Sequence, residues 1–217
     1  MSDIFNEVAE EVRREKLKKL WDRYQILIIG GAVLIVVLVG GWRLNQWWEA
    51  KQAAEAGGAF QTAMTLSAEG KHAEAAAAFA KVADMGAPGY RDLARLQAAS
   101  ELAKRDPKAA VEAYDALAAN AGLNDTLRDL AAVRAGFLLV DTASYEELRR
   151  RLEPAAAPER PFRNSAREML ALSALRANDA ATARKWFDQI VTDVAAPAGL
   201  RQRIQMLMAL APETGNS

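Results

Sequence analysis

Apolar residues fall along this chain in two regimes. From Tyr24 to Trp42 they run for nineteen residues without a charge, eleven of them Ile, Leu or Val, between Arg23 and Arg43. A helix of that length covers about 28 Å, close to the roughly 30 Å of hydrocarbon in a bilayer. The aliphatic side chains contribute about −3 to −6 kcal/mol toward insertion, diluted but not cancelled by Gly30, Gly31, Gly40 and Gly41. The pattern predicts one transmembrane helix over 24–42. A buried soluble helix is the competing reading, and such helices rarely run this far without a polar residue on some face. Beyond Leu44 the regime changes: apolar residues recur at intervals of three and four, alanine is abundant, and no strand-like alternation occurs. That predicts an all-helical fold. Breaks are expected at Gly70, at Gly86-Ala87-Pro88-Gly89, at Asp106-Pro107, near Ala121-Gly122, at Asp141 to Ser144, at Pro154 to Pro161, at Asn178-Asp179 and at Pro197. Asp106 before Pro107 reads as an N-cap with a first-turn proline, and Ser144 with Glu147 reads as a capping box.

The spacing of the predicted helices is periodic. A small residue followed by an aromatic four later and an aliphatic seven later occurs as Ala75, Phe79 and Val82, as Ala110, Tyr114 and Leu117, and as Ala183, Phe187 and Ile190. A degenerate copy, Leu148 and Leu152, lies between the second and third. Partner helices precede each copy at 54–68, 90–104, 125–140 and 162–177. A helix from Leu200 to Leu210 would cap the last, using Leu200, Ile204 and Leu207. Four hairpins of about 34 residues have the length and pattern of a tetratricopeptide repeat, in which a small residue lets the partner helix approach and an aromatic fills the gap to the next hairpin. The competing reading is a generic alanine-rich bundle. The reading is therefore all-α: a single amino-terminal span, then a solenoid of about four hairpins plus a capping helix. The expected divisions are a cytoplasmic amphipathic helix (1–23), the signal anchor (24–42), a juxtamembrane linker (43–53), the repeat domain (54–212) and a tail (213–217).

Charge orients the span. Arg13, Arg14, Lys16, Lys18, Lys19 and Arg23 precede it, whereas only Arg43 and Lys51 follow at comparable distance, so the amino terminus is expected in the cytoplasm and the remainder outside. Trp21 and Tyr24 at one end, and Trp42, Trp47 and Trp48 at the other, are expected at the headgroup level. Bulky residues rather than a small-residue cleavage site follow the span, which reads as an uncleaved anchor. In the leading segment Phe5, Val8, Val12, Leu17, Leu20 and Tyr24 fall at helical spacing among six acidic and six basic residues, a mixture unlike a purely electrostatic lipid-binding helix. It reads as a solvated helix on the inner surface, or as a docking helix.

From Leu44 onward 21 Lys or Arg stand against 22 Asp or Glu, so no basic field exists to hold nucleic acid. There is no cysteine, which removes disulfides and thiolate chemistry. His72, the one histidine, reads as a solvated residue at a helix start beside Lys71 and Glu74. Glu146 and Glu147, with Arg149, Arg150 and Arg151, read as a solvated face, with contact to an acidic segment as the alternative. Gly57-Gly58 lacks the lysine and preceding strand of a phosphate loop. The sequence thus predicts no enzyme, metal, cofactor or small-molecule substrate, and a solenoid that binds polypeptide.

The plan as a whole resembles the YfgM-like family of tetratricopeptide-like inner-membrane proteins. The likeness lies in the Asp3-Ile4-Phe5 opening, the Glu10-Glu11-Val12-Arg13-Arg14 run, the span ending in Gly41-Trp42-Arg43, and the four hairpins. What the resemblance implies is a periplasmic domain that acts as an accessory, chaperone-like subunit of the SecYEG translocon, with a PpiD-like chaperone and exported polypeptides as partners. A structural scaffold for envelope or cell-division complexes is the alternative.

Overall fold

The computed structural model describes residues 2–87 and 89–210; for most of residues 2–22, and for Ile28 and Leu210, the backbone alone is described. The expected break at Pro88, the tail 213–217, and the apolar pattern of Phe5, Val8, Val12, Leu17 and Leu20 therefore lie outside the described residues. The chain forms two compact units, 1–52 and 53–217.

In the first unit the described backbone is helical throughout, as part of helix α1 (Ser2–Ala68). The stretch 43–53 is thus helix as well. Within α1 an 18-residue window reaches a mean hydropathy of 2.3, long and apolar enough to cross a membrane. Its described large side chains, among them Leu27, Val36 and Leu38, are exposed.

The second unit holds the last turns of α1 and then α2 (His72–Asp84), α3 (Tyr90–Ala103), α4 (Pro107–Ala119), α5 (Asp125–Leu139), α6 (Tyr145–Leu152), α7 (Arg163–Arg176), α8 (Ala180–Val191) and α9 (Ala198–Leu210). A 3-10 turn, Pro154–Ala156, follows α6. No strand occurs among the described residues. From α2 to α9 each helix packs against the next, and α5 also meets α7. This is the nearest-neighbour packing of a solenoid.

Local chemistry fixes the ends. Asp106 caps α4 by accepting from Ala109 N at 3.0 Å, with Pro107 in the first turn. Asn124 and Asp179 cap α5 and α8 in the same way. Ser144 accepts from Glu147 N at 3.2 Å, but Glu147 turns its carboxylate to Arg151 at 2.9 Å, so only one half of the expected capping box forms. The hairpin turns after α1 and α7 close with a left-handed residue, Gly70 at φ 75° and Asn178 at φ 58°. Either residue tolerates that conformation, and the next amide bonds back to Leu66 O and Ala174 O respectively.

Four apolar clusters make the core. In the first, Phe79 meets Phe60 edge-on at 5.2 Å, and Phe60 meets Tyr90 at 5.7 Å. Gly136 of α5 faces Leu152 of α6 and Met169 of α7 closely. A Cβ there would lie 3.0 Å from both methyls of Leu152 and 3.2 Å from the Met169 sulfur.

Candidate functional site

The structure buries all eleven residues expected to pack the repeats. Ala75, Phe79 and Val82 of α2 lie in the first cluster, with Ala56 and Ala63 of α1 and Ala94 of α3. Ala110, Tyr114 and Leu117 of α4 lie in the second, against Leu96 and Ala131. Leu148 and Leu152 of α6 lie in the third, and Ala183, Phe187 and Ile190 of α8 in the fourth, which Ile204 of α9 closes. Each cluster draws on consecutive helices, so no hairpin buries its apolar face alone. The five aromatic residues expected at a headgroup boundary, Trp21, Tyr24, Trp42, Trp47 and Trp48, are all exposed.

A second set of contacts is polar. Glu101 of α3 is 4 % exposed. It accepts from Ser67 Oγ of α1 at 2.6 Å, from His72 Nδ1 of α2 at 2.7 Å and from Lys104 Nζ at 2.9 Å. The reading of His72 as a solvated residue is thereby corrected: its ring is half-buried and paired with a carboxylate on the next hairpin. Burial pushes the Glu101 carboxyl up, but the hydrogen bonds from Ser67, Lys104 and His72 outweigh it and hold the group below the usual carboxylate range. Ser67 bonds to Glu101 and not to His72, so this is no nucleophile and base pair.

Comparable clasps recur along the unit. Arg160 binds Asp129 through two 2.7 Å bonds and Asp125 through a third. Arg163 and Asn164 both bind Asp193, whose carboxyl the Arg163 hydrogen bond, against burial, holds far below its ordinary value. Arg203 binds Glu168. Arg151 grips Asp115 of α4 and Glu147 of its own helix. Part of the charge run on α6 is therefore structural and not a solvated face, whereas Arg149 pairs only along the surface with Glu146 and Glu153. The partners that join successive parts of the array stand 26 to 36 residues apart, about one hairpin. Sequence reading missed this set. The available signal was opposite charges one repeat apart, Asp125 with Arg160 and Glu168 with Arg203, each pair separated by 35 residues.

Two grooves open on the face carried by the second helices of the hairpins. One, of about 530 Å³, runs between α2 and α4 with α3 as its floor, and is lined chiefly by alanines such as Ala76, Ala80, Ala98, Ala113 and Ala116. The other, of about 510 Å³, lies between α4 and α6, where Ala118, Ala119 and Ala132 adjoin Arg150 and Arg151. Among the described residues no group of three or more His, Cys, Asp or Glu side chains is arranged to hold a metal ion. The geometry is that of a surface offering shallow apolar troughs and fixed charges, which suits recognition of a polypeptide.

A family profile described as Tetratricopeptide repeat-like domain matches residues 18–210. No curated protein and no solved structure matches the chain.

Proposed function

The chain belongs to the tetratricopeptide repeat-like domain family, and from that premise we propose that it is a membrane-anchored protein-binding module, an accessory and chaperone-like subunit of the secretory translocon that assists exported polypeptides. Repeat domains of this kind serve protein interaction or scaffolding, which is the broad role of this chain. The finer reading is carried by one observation: nineteen uncharged residues at 24–42, on an exposed apolar helix, precede the repeats in the same chain. In this reading residues 24–42 cross the bacterial inner membrane, residues 1–23 remain in the cytoplasm and the repeats stand in the periplasm. The six-to-two excess of basic residues before the span supports that orientation, and Trp21, Tyr24, Trp42, Trp47 and Trp48 sit at the two headgroup zones. The eleven buried packing residues serve the solenoid, not the partner. Partners would be the SecYEG translocon, a PpiD-like chaperone and the emerging chains themselves. Tethering raises their effective concentration, so a weak groove suffices.

Protease added outside spheroplasts should digest the repeats and spare an amino-terminal tag; protection of the repeats would sink the orientation. Crosslinking in intact membranes should recover translocon subunits with the full chain, and far fewer with residues 44–217 exported in soluble form. Recovery of division or outer-membrane assembly proteins instead would replace the translocon reading with a scaffold for envelope complexes.

A further inference from the structure

We propose that the stretch of α1 just past the span carries a face for anionic phospholipid, on which Arg43, Trp47 and Lys51 take up the phosphates of the leaflet that the span leaves at Trp42. This rests on the membrane-anchored reading above and names a lipid ligand for it.

Residues 43–52 continue α1 as helix, and all are exposed. At about 3.6 residues per turn Arg43, Trp47 and Lys51 stand one above another, with Leu44 and Trp48 beside them on the same side. The one acid of the stretch, Glu49, falls on the other side, where it accepts from Asn45 Nδ2 at 2.8 Å. Glu55, the next acid toward the cationic side, comes a turn farther from the span. The stretch therefore has two faces. One is aromatic and carries two cations; the other is polar, and its acid already has a hydrogen-bond donor. Trp47 and Trp48 are each 59 % exposed, and indole rings left in that position belong at the headgroup level. Cations set among them complement the negative charge of phosphodiesters there.

Depth makes the ligand a lipid. The headgroup layer of one leaflet is about 5–8 Å deep. Arg43 directly follows the uncharged stretch and so enters at the bottom of that layer, where its guanidinium fork can take a phosphate bidentately. Lys51 is rooted about 13 Å past Trp42 along the axis, above the layer. Its ammonium does not stay there. It reaches back over the ring of Trp47, to 5.8 Å from the centroid. Trp47 lies about 7–8 Å past Trp42, at the upper edge of the layer. The ring thus draws the second cation down to phosphate depth. A free anion would need both charges to converge on one point, whereas two charges spread over the depth of the layer, on the same side of one helix, fit the headgroups of lipids standing beside it.

The test uses the full-length protein with Trp21→Phe and Trp186→Phe, so that Trp42, Trp47 and Trp48 alone report. It is reconstituted into vesicles containing brominated phosphatidylglycerol or, separately, brominated phosphatidylcholine, and quenching of tryptophan fluorescence gives the relative affinity of the two lipids. Phosphatidylglycerol should be preferred about fivefold or more, and the preference should fade in high salt. Arg43→Gln and Lys51→Gln should each lower the preference about two- to fivefold and together bring it near unity. Trp47→Leu should lower it too, and Lys51→Gln should then have little further effect, because no ring holds the ammonium at phosphate depth. Lys18→Gln, at an exposed cation before the span, should leave it unchanged. All variants should retain parental circular dichroism. Equal quenching by the two lipids, a preference that survives Arg43→Gln with Lys51→Gln, or a Lys51→Gln effect undiminished in Trp47→Leu overturns this assignment and leaves the anchor standing. Quenching by neither lipid overturns the membrane-anchored reading with it.

Discussion

Removing the Glu101 carboxylate should loosen three elements at once. In Glu101→Ala the hydroxyl of Ser67, the ring of His72 and the ammonium of Lys104 each lose their acceptor. A hydrogen bond to a charged group contributes about 1.5–3 kcal/mol when shielded from water. The Lys104 and His72 side chains are 43 % and 32 % exposed, so water takes over much of their loss and their shares fall to about 0–1 kcal/mol each. With Ser67 retaining about 1.5 kcal/mol, the expected cost is about 1.5–3.5 kcal/mol. Glu101→Gln keeps the shape but turns one acceptor into a donor facing donors, and should cost about 1–2 kcal/mol. The pH dependence has a definite sign. The carboxyl is held below its ordinary value in the folded state, so its stabilising contribution is complete above the ordinary carboxylate range and is lost as the pH falls through the folded-state value. Urea unfolding of residues 53–217, followed by far-ultraviolet circular dichroism, should show the full Gln penalty near pH 7 and a shrinking one below about pH 4. A Gln penalty equally large near pH 3, or an Ala variant within about 0.5 kcal/mol of the parent at neutral pH, would refute the assignment of Glu101 as a charged clasp.

Residues 54–212 expressed without the anchor should be soluble and mostly helical by circular dichroism; strand signal or obligate aggregation would count against a self-sufficient repeat unit. Phe79→Ala and Phe187→Ala should each cost about 3–5 kcal/mol, since both rings are 1 % exposed; losses near zero at both would show the packing register to be wrong. Gly58→Ala and Gly136→Ala should differ in sign. Nothing lies within 4 Å of a Cβ at Gly58, so alanine there gains about 0.5–1 kcal/mol of helix propensity. At Gly136 the crowding by Leu152 and Met169 should cost about 1–3 kcal/mol and exceed that gain. Thermal melts of the pair decide it, and stabilisation by both would mean that the α5 to α6 contact yields freely.

What could be read from the sequence followed from local rules. Gly70, Pro107 and Asn178-Asp179 punctuate the chain because their backbone preferences act within a few residues, and the α3 and α5 ends fell within one residue of expectation. The triplet of Ala75, Phe79 and Val82 and its copies stood out because helix packing repeats at fixed spacing. His72 was misread because its partner lies 29 residues away on another helix, and a polar ring beside a lysine and a glutamate looks solvated until the fold brings Glu101 over it. Glu147 was half misread because two uses of one side chain competed, the reciprocal cap and the i+4 arginine, and Arg151 won. The grooves were invisible for a different reason. An exposed alanine such as Ala80 or Ala116 reads only as a good helix former, and a trough exists only once three such stripes converge.

The spacing of the clasps also governs how the chain can fold. Ion pairs that join successive parts of the array close loops of 26 to 36 residues, and the Trp186 to Tyr145 hydrogen bond closes one of 41. Loop-closure entropy grows only with the logarithm of length, so every interface in the array faces nearly the same modest barrier. None of these links waits for a distant end of the chain. A polypeptide delivered amino terminus first, whether from a ribosome or through a membrane pore, can therefore set each hairpin as soon as about one further repeat has emerged, leaving at any moment little more than one hairpin's worth of apolar surface unclaimed.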